Sequence, residues 1–234
     1  MSAIYKRELL TFFTNPIGYE FIAVLVGFEG FYLWQVMYAQ STQYFSVIYD
    51  GIFTFCMMLL PVLTMRLLSE EKKQKTDQAL LTAPVSLFGL VFGKFLAAVT
   101  VYAIPVLFTL VQGFVLSFMG MPNWALIFGN VIGTLLYGSA IIAIGLFISG
   151  LTDSQMIAAV VSFFISMFLM VIGDLSGVFG SKVLSVVFGA LSFTTRYSVF
   201  TTGVFDTSAA IYFISVIGLF IYLTVSTLEK KRWN

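Results

Sequence analysis

The chain has 234 residues, 59% of them hydrophobic and only 10% charged, with a mean hydropathy of +1.00. That balance excludes a water-soluble domain of this size, because too little polar surface is available to face water. With a formal net charge of +1, no histidine and the single cysteine Cys56, the chain offers no footprint for nucleic acid, no intrachain disulfide and none of the usual zinc, haem or iron-sulfur ligand sets.

At the N-terminal end, residues 4–13 mix basic and acidic side chains with Leu9, Leu10, Phe12 and Phe13, ahead of Asn15-Pro16. This pattern predicts a short amphipathic helix on the inner leaflet, with the break at Pro16 turning the chain into the bilayer. No small-residue cleavage pattern follows a short apolar core there, so no removable signal peptide is expected. Apolar stretches at 17–38, 48–68, 90–118, 125–150, 155–175 and 210–228 are each long enough to cross about 30 Å of hydrocarbon as a helix. The fold class expected is an all-α membrane protein of six transmembrane helices, one membrane domain over residues 1–234.

Within the first stretch stand Glu20 and Glu29, and a carboxylate at membrane depth is expensive enough to be turned inward, paired, protonated or hydrated. Nine residues of separation place them on nearly opposite faces of a helix, so they do not form one acid pair. Glu29, nearer the middle, is open to either structural pairing or a place on a substrate path. The third stretch contains Pro105 and Gln112, and the proline predicts a tilt, a kink or a split. Glu20, Glu29 and Gln112 are the candidates for a translocation path.

Between the second and third stretches, residues 69–89 form the most charged segment, with Glu70, Glu71, Lys73, Lys75 and Asp77. A helix is expected over 69–81, with Ser69 as its N-cap, Glu70 and Glu71 suited to its dipole, and Ala83-Pro84 ending it. Composition alone leaves this loop as either a charged turn or a docking surface. The segment Gly89-Leu-Val-Phe-Gly93-Lys94 resembles a phosphate loop, but it has one residue too few between the glycines, and Phe95 stands where Ser or Thr would be needed. Lys94 is expected instead to snorkel at an inner membrane boundary. Further on, Asp153 of Thr152-Asp153-Ser154 is an expected N-cap. Residues 176–208, rich in Gly, Ser, Thr and Phe, suit an interfacial or re-entrant element better than a crossing. Small residues four apart, at Gly89/Gly93, Gly129/Gly133 and Gly173/Gly177, are expected to let neighbouring spans approach closely.

Placing both termini in the cytoplasm puts ten of the twelve Lys and Arg on the inner side and leaves only Lys182 and Arg196 outside. Without histidine no Ser/His/Asp or Cys/His arrangement exists, and no close acid pair stands out, so catalysis by this chain is not expected.

The run Met65-Arg66-Leu67-Leu68-Ser69-Glu70-Glu71-Lys72-Lys73, followed by Thr76-Asp77-Gln78, by Leu80-Leu81-Thr82-Ala83-Pro84-Val85-Ser86 and by Gly93-Lys94, resembles the cytoplasmic loop of ABC-2 type transporter permeases. Lys6-Arg7-Glu8-Leu9 through Asn15-Pro16-Ile17-Gly18-Tyr19 is similar to the first helix of the gliding-motility-associated branch. The FTTGVFD run from Phe200 to Asp206 and the Leu228-Glu229-Lys230-Lys231-Arg232-Trp233 tail resemble the end of that branch. Lys75 stands where many relatives carry Gly.

The resemblance implies a permease subunit in a plasma membrane, of bacterial type, working with cytosolic ATPase subunits and a second permease, identical or related. An extracytoplasmic accessory protein is a further partner to consider. ATP and magnesium would sit on the partner ATPase, and none in this chain. Glu70, Glu71, Lys72, Lys73, Thr76, Asp77, Leu80, Leu81 and Pro84 would form the coupling helix, and the first and fifth spans the subunit interface. A membrane anchor driving an external machine, or an ion-coupled carrier using Glu29, are the alternatives.

Overall fold

A computed structural model describes residues 2–39, 46–75, 86–118, 123–175, 182–202 and 206–233. All regular structure among them is α-helical: α1 (Ser2–Thr14), α2 (Pro16–Tyr38), α3 (Ser46–Thr64), α4 (Ser69–Lys73), α5 (Leu87–Leu116), α6 (Trp124–Leu151), α7 (Gln155–Leu175), α8 (Lys182–Leu191), α9 (Phe193–Thr201) and α10 (Thr207–Trp233). Six are long and apolar enough to cross a membrane: α2, α3 with the turn and α4 that follow it, α5, α6, α7 and α10. The expected spans match these in number and order.

Helix starts follow local chemistry. Pro16 occupies the first position of α2, where its missing N–H costs nothing, and Gly18 allows the carbonyl of Phe12 to pass where a Cβ would stand. Ser86, Asn123 and Ser192 cap α5, α6 and α9, their side-chain oxygens accepting from the N–H of Gly89, Leu126 and Thr195 at 3.2 Å each. Two expected caps move. Before α7 it is Ser154, not Asp153, whose hydroxyl accepts from Ile157 N–H, at 3.5 Å. Ser69 lies inside the first turn of α4 and donates back to the carbonyl of Met65. Pro105 does not split the third span, since α5 runs through it from Leu87 to Leu116.

The most buried of the six spans is α6, and around it pack α3, α5, α7, α9 and α10. Its glycines explain the fit. Gly138 leaves room for the Tyr102 ring of α5, Gly145 for Thr64 of α3, and Gly133 for Phe200 of α9. Gly133 thus admits a side chain from the segment between the fifth and sixth spans rather than the backbone of a neighbouring span. Gly93 likewise faces Ile4 of α1.

The segment after α7 is a pair of short helices, α8 and α9, that turns back into the bundle. Tyr197 and Phe193 of α9 are buried among Phe53, Tyr137 and Phe213. The expectation over 176–208 is an interfacial or re-entrant element in place of a crossing, and the described residues 182–202 within it form these two short helices. Leu68 of the α3–α4 turn, Gly150 of α6 and Thr224 of α10 meet at the opposite end, which also carries Lys230, Lys231 and Arg232. We call this the basic end and the other the hairpin end.

Candidate functional site

At the basic end, four charges from three elements converge. Lys94 Nζ of α5 lies 3.0 Å from Glu8 Oε1 of α1 and 2.9 Å from Glu71 Oε1 of α4. Arg7 Nη2 touches the same two oxygens, at 3.0 and 3.2 Å. Two cations and two carboxylates balance locally, the condition under which charges tolerate burial. Lys94 is only 1% exposed. It therefore does not snorkel, because two carboxylates come to it and the headgroup region is not needed. Tyr5 of α1 adds a hydroxyl contact to Thr100 at 3.1 Å, so α1 is packed along α5 on the bundle.

Beside this knot, Arg66 grips Glu70 with two parallel bonds, Nε to Oε2 at 2.8 Å and Nη2 to Oε1 at 3.1 Å. Glu8, Thr11, Phe12, Asn15, Arg66 and Glu70 line a cleft between α1 and the end of α3. Lys72 reaches across to the carbonyl of Gly150, while Lys73 is exposed.

The helix expected over 69–81 ends early. Gln74 is the C-cap of α4, and Lys75 adopts φ +56°, its N–H donating to Lys72 O at 3.0 Å. A left-handed residue just past a C-cap is the usual helix stop, and glycine is its usual occupant. The expected coupling residues Thr76, Asp77, Leu80, Leu81 and Pro84 lie outside the described residues.

The turn leading into α4 is fixed by one hydroxyl. Ser149 Oγ of α6 accepts from Leu68 N–H at 3.1 Å and Ser69 N–H at 3.0 Å, and donates to Met65 O at 3.0 Å. That uses its whole hydrogen-bonding capacity.

Inside the bundle, the candidates separate. Glu29 of α2 is fully buried and neither of its oxygens has a hydrogen-bond partner. Glu20, on the other face of α2, is exposed. Gln112 of α5 is buried with its Oε1 unpartnered, so no bond joins it to Glu29. Of the three, Glu29 and Gln112 are therefore buried and not bonded to each other, while Glu20 faces the surface. Among the described residues, no three His, Cys, Asp or Glu side chains gather as a metal site would require.

Sequence reasoning passed over Arg7 and Glu8 as members of the site, along with Ser149, Thr134 and Tyr197. A signal existed for the α6 residues: Thr134, Gly138, Gly145 and Ser149 fall within about 60° of one helical face, a seam of small residues along a helix that carries other small residues, such as Ala125, Gly129 and Ala143, on its other faces.

A bundle of six apolar spans with a paired charge cluster at one end defines a multi-pass membrane protein whose polar apparatus is gathered at one face. The sequence model of the ABC-2 family transporter protein matches residues 7–228, and the chain belongs to this family. It is thus a membrane permease subunit of an ABC transporter, a class that works with an ABC ATPase subunit. Comparison with curated proteins gives no match.

Proposed function

We propose that the chain is the permease subunit of an ATP-driven exporter in a bacterial plasma membrane, with its basic end in the cytoplasm and residues 70–84 as the element seated on the ATPase. The observation that carries this reading is the knot of Arg7, Glu8, Glu71 and Lys94. It makes α1 and α4 one body braced on α5, so a push on either reaches the spans as a rigid displacement. The positive-inside count favours the same orientation, and α1, with Phe12 buried and Lys6 exposed, would lie along the inner membrane boundary.

A second permease, identical or related, would complete the translocation path. Supporting this, α2 and α7 keep broad uncovered apolar faces, with Phe31 and Trp34 on one and Phe164 and Phe168 on the other. The resemblance to the gliding-motility-associated branch raises an extracytoplasmic accessory protein as a further partner.

The test is ATP hydrolysis by the complex of this chain and its ATPase in lipid nanodiscs. Glu70→Lys with Glu71→Lys should lower permease-dependent hydrolysis at least tenfold. Unchanged hydrolysis, or failure of the wild-type chain to associate with the ATPase, would sink the reading. A second reading rests on Glu29, whose buried and unpartnered carboxylate suits an ion-coupled carrier. It requires uptake or efflux without ATP that Glu29→Gln abolishes.

A further inference from the structure

We infer that α6 is the rod that carries displacement from the α3–α4 turn to the α8–α9 hairpin, with Ser149 the positioning residue at one end and Thr134 at the other. The inference deepens the proposed function, because it takes the turn as the point where the ATPase acts.

At the basic end, the turn cannot shift against α6 without breaking several contacts together. Ser149 Oγ holds Leu68 N–H, Ser69 N–H and Met65 O. Lys72 holds the carbonyl of Gly150, and the packing of Thr64 at Gly145 leaves no space for a Cβ. Fifteen residues away, roughly 22 Å along the helix axis, Thr134 Oγ1 meets Tyr197 Oη of α9 at 2.8 Å. Gly133 next to it receives the Phe200 ring. α6 therefore grips the turn at one end, through Gly145, Ser149 and Gly150, and the hairpin at the other, through Gly133 and Thr134.

The helices α7 and α10 also touch the hairpin, Met170 O accepting from Thr194 Oγ1 at 2.8 Å and Tyr212 Oη donating to Leu191 O at 3.0 Å, but the bonds of Leu68, Ser69 and Lys72 named above run to α6. The routes through α3 and α5 are softer. Tyr197 Oη also donates to Tyr49 O of α3 at 3.3 Å, but α3 carries Pro61 between Tyr49 and the turn. Lys94 leads into α5, but α5 carries Pro105. A proline inside a helix removes one rung of the backbone ladder and localises bending. The described helix α6 runs 28 residues from Trp124 to Leu151 without proline. Displacement applied at the turn is absorbed by bending at Pro61 or Pro105 and is transmitted along α6.

The test is hydrogen exchange read by mass spectrometry on the complex of the full chain with its ATPase in nanodiscs, with and without MgATP and vanadate. In the wild type, nucleotide should change exchange both in residues 65–75 and in Phe193–Thr201. Ser149→Ala and Thr134→Val should each keep the response of 65–75 and lose that of Phe193–Thr201, and Thr134→Ser, which keeps the hydroxyl, should restore it. A hairpin response that survives in both variants overturns the inference and leaves the proposed function standing, as does a wild type whose hairpin never responds although 65–75 does. If the ATPase does not associate with the wild-type chain, the functional reading falls and this inference with it. Should Ser149→Ala fail to assemble, Thr134→Val decides alone, since it leaves the basic end untouched.

Discussion

Lys75 holds a left-handed backbone that favours glycine, at the position where the resemblance to ABC-2 permeases finds glycine in many relatives. Lys75→Gly should raise stability by about 1 kcal/mol, and Lys75→Val should lower it, since an L-residue loses about 1–2 kcal/mol in that conformation. Thermal unfolding in detergent, followed by tryptophan fluorescence, reads both. Lys94 carries a larger stake. Replacing it by Met takes from Glu8 and Glu71 the buried cation that contacts both, and breaking a buried pair from one side costs about 3–5 kcal/mol. The combined change Lys94→Met, Glu71→Gln should recover part of the loss, a coupling that a double-mutant cycle measures. Glu29 behaves oppositely: because its carboxylate is buried without a partner, Glu29→Leu should stabilise the bundle by about 1–3 kcal/mol. Glu20→Leu, on the exposed face, should change stability by less than about 0.5 kcal/mol.

Elements show where sequence suffices and where it stops. The six spans were legible because each buries apolar residues over a bilayer's length, a local property. The expectation of an interfacial or re-entrant element over 176–208 followed from the converse: its apolar runs are too short to cross. Partners were not legible, because a contact such as that of Glu8 with Lys94 joins residues 86 apart in the chain. Lys94, taken alone, looks like any lysine near a membrane boundary. Ser69 and Asp153 as caps failed by a residue or more, since a cap depends on where the preceding turn releases the backbone. The small-residue seam of α6 could have been seen, but glycine in a span reads as helix packing until the Tyr102 ring is found against Gly138, and Phe200 against Gly133 beside the seam. Docking of Phe200 of α9 at Gly133 predicts that Gly133→Leu displaces the hairpin and makes Tyr197 accessible to solvent quenchers of its fluorescence. Tyr197→Phe should have a milder effect, about 1 kcal/mol, through loss of its bonds to Thr134 and Tyr49 O.

For the molecule as a whole, polar groups are distributed by task. Charge is concentrated at the basic end, hydroxyls join α3, α6 and α9 near the hairpin end, and the surface between is apolar. The knot at the basic end also bears on how the chain is made. During synthesis Arg7 and Glu8 emerge first, Glu71 follows after two spans, and Lys94 arrives only with the third, so the buried cation is the last of the four to appear. Until α5 is in place, α1 has neither its Lys94 partner nor the Gly93 surface against which Ile4 packs. Completion of the knot therefore reports that three spans have been inserted in the correct order. A nascent chain stopped before residue 94 should leave α1 open to protease, and one extended past α5 should protect it.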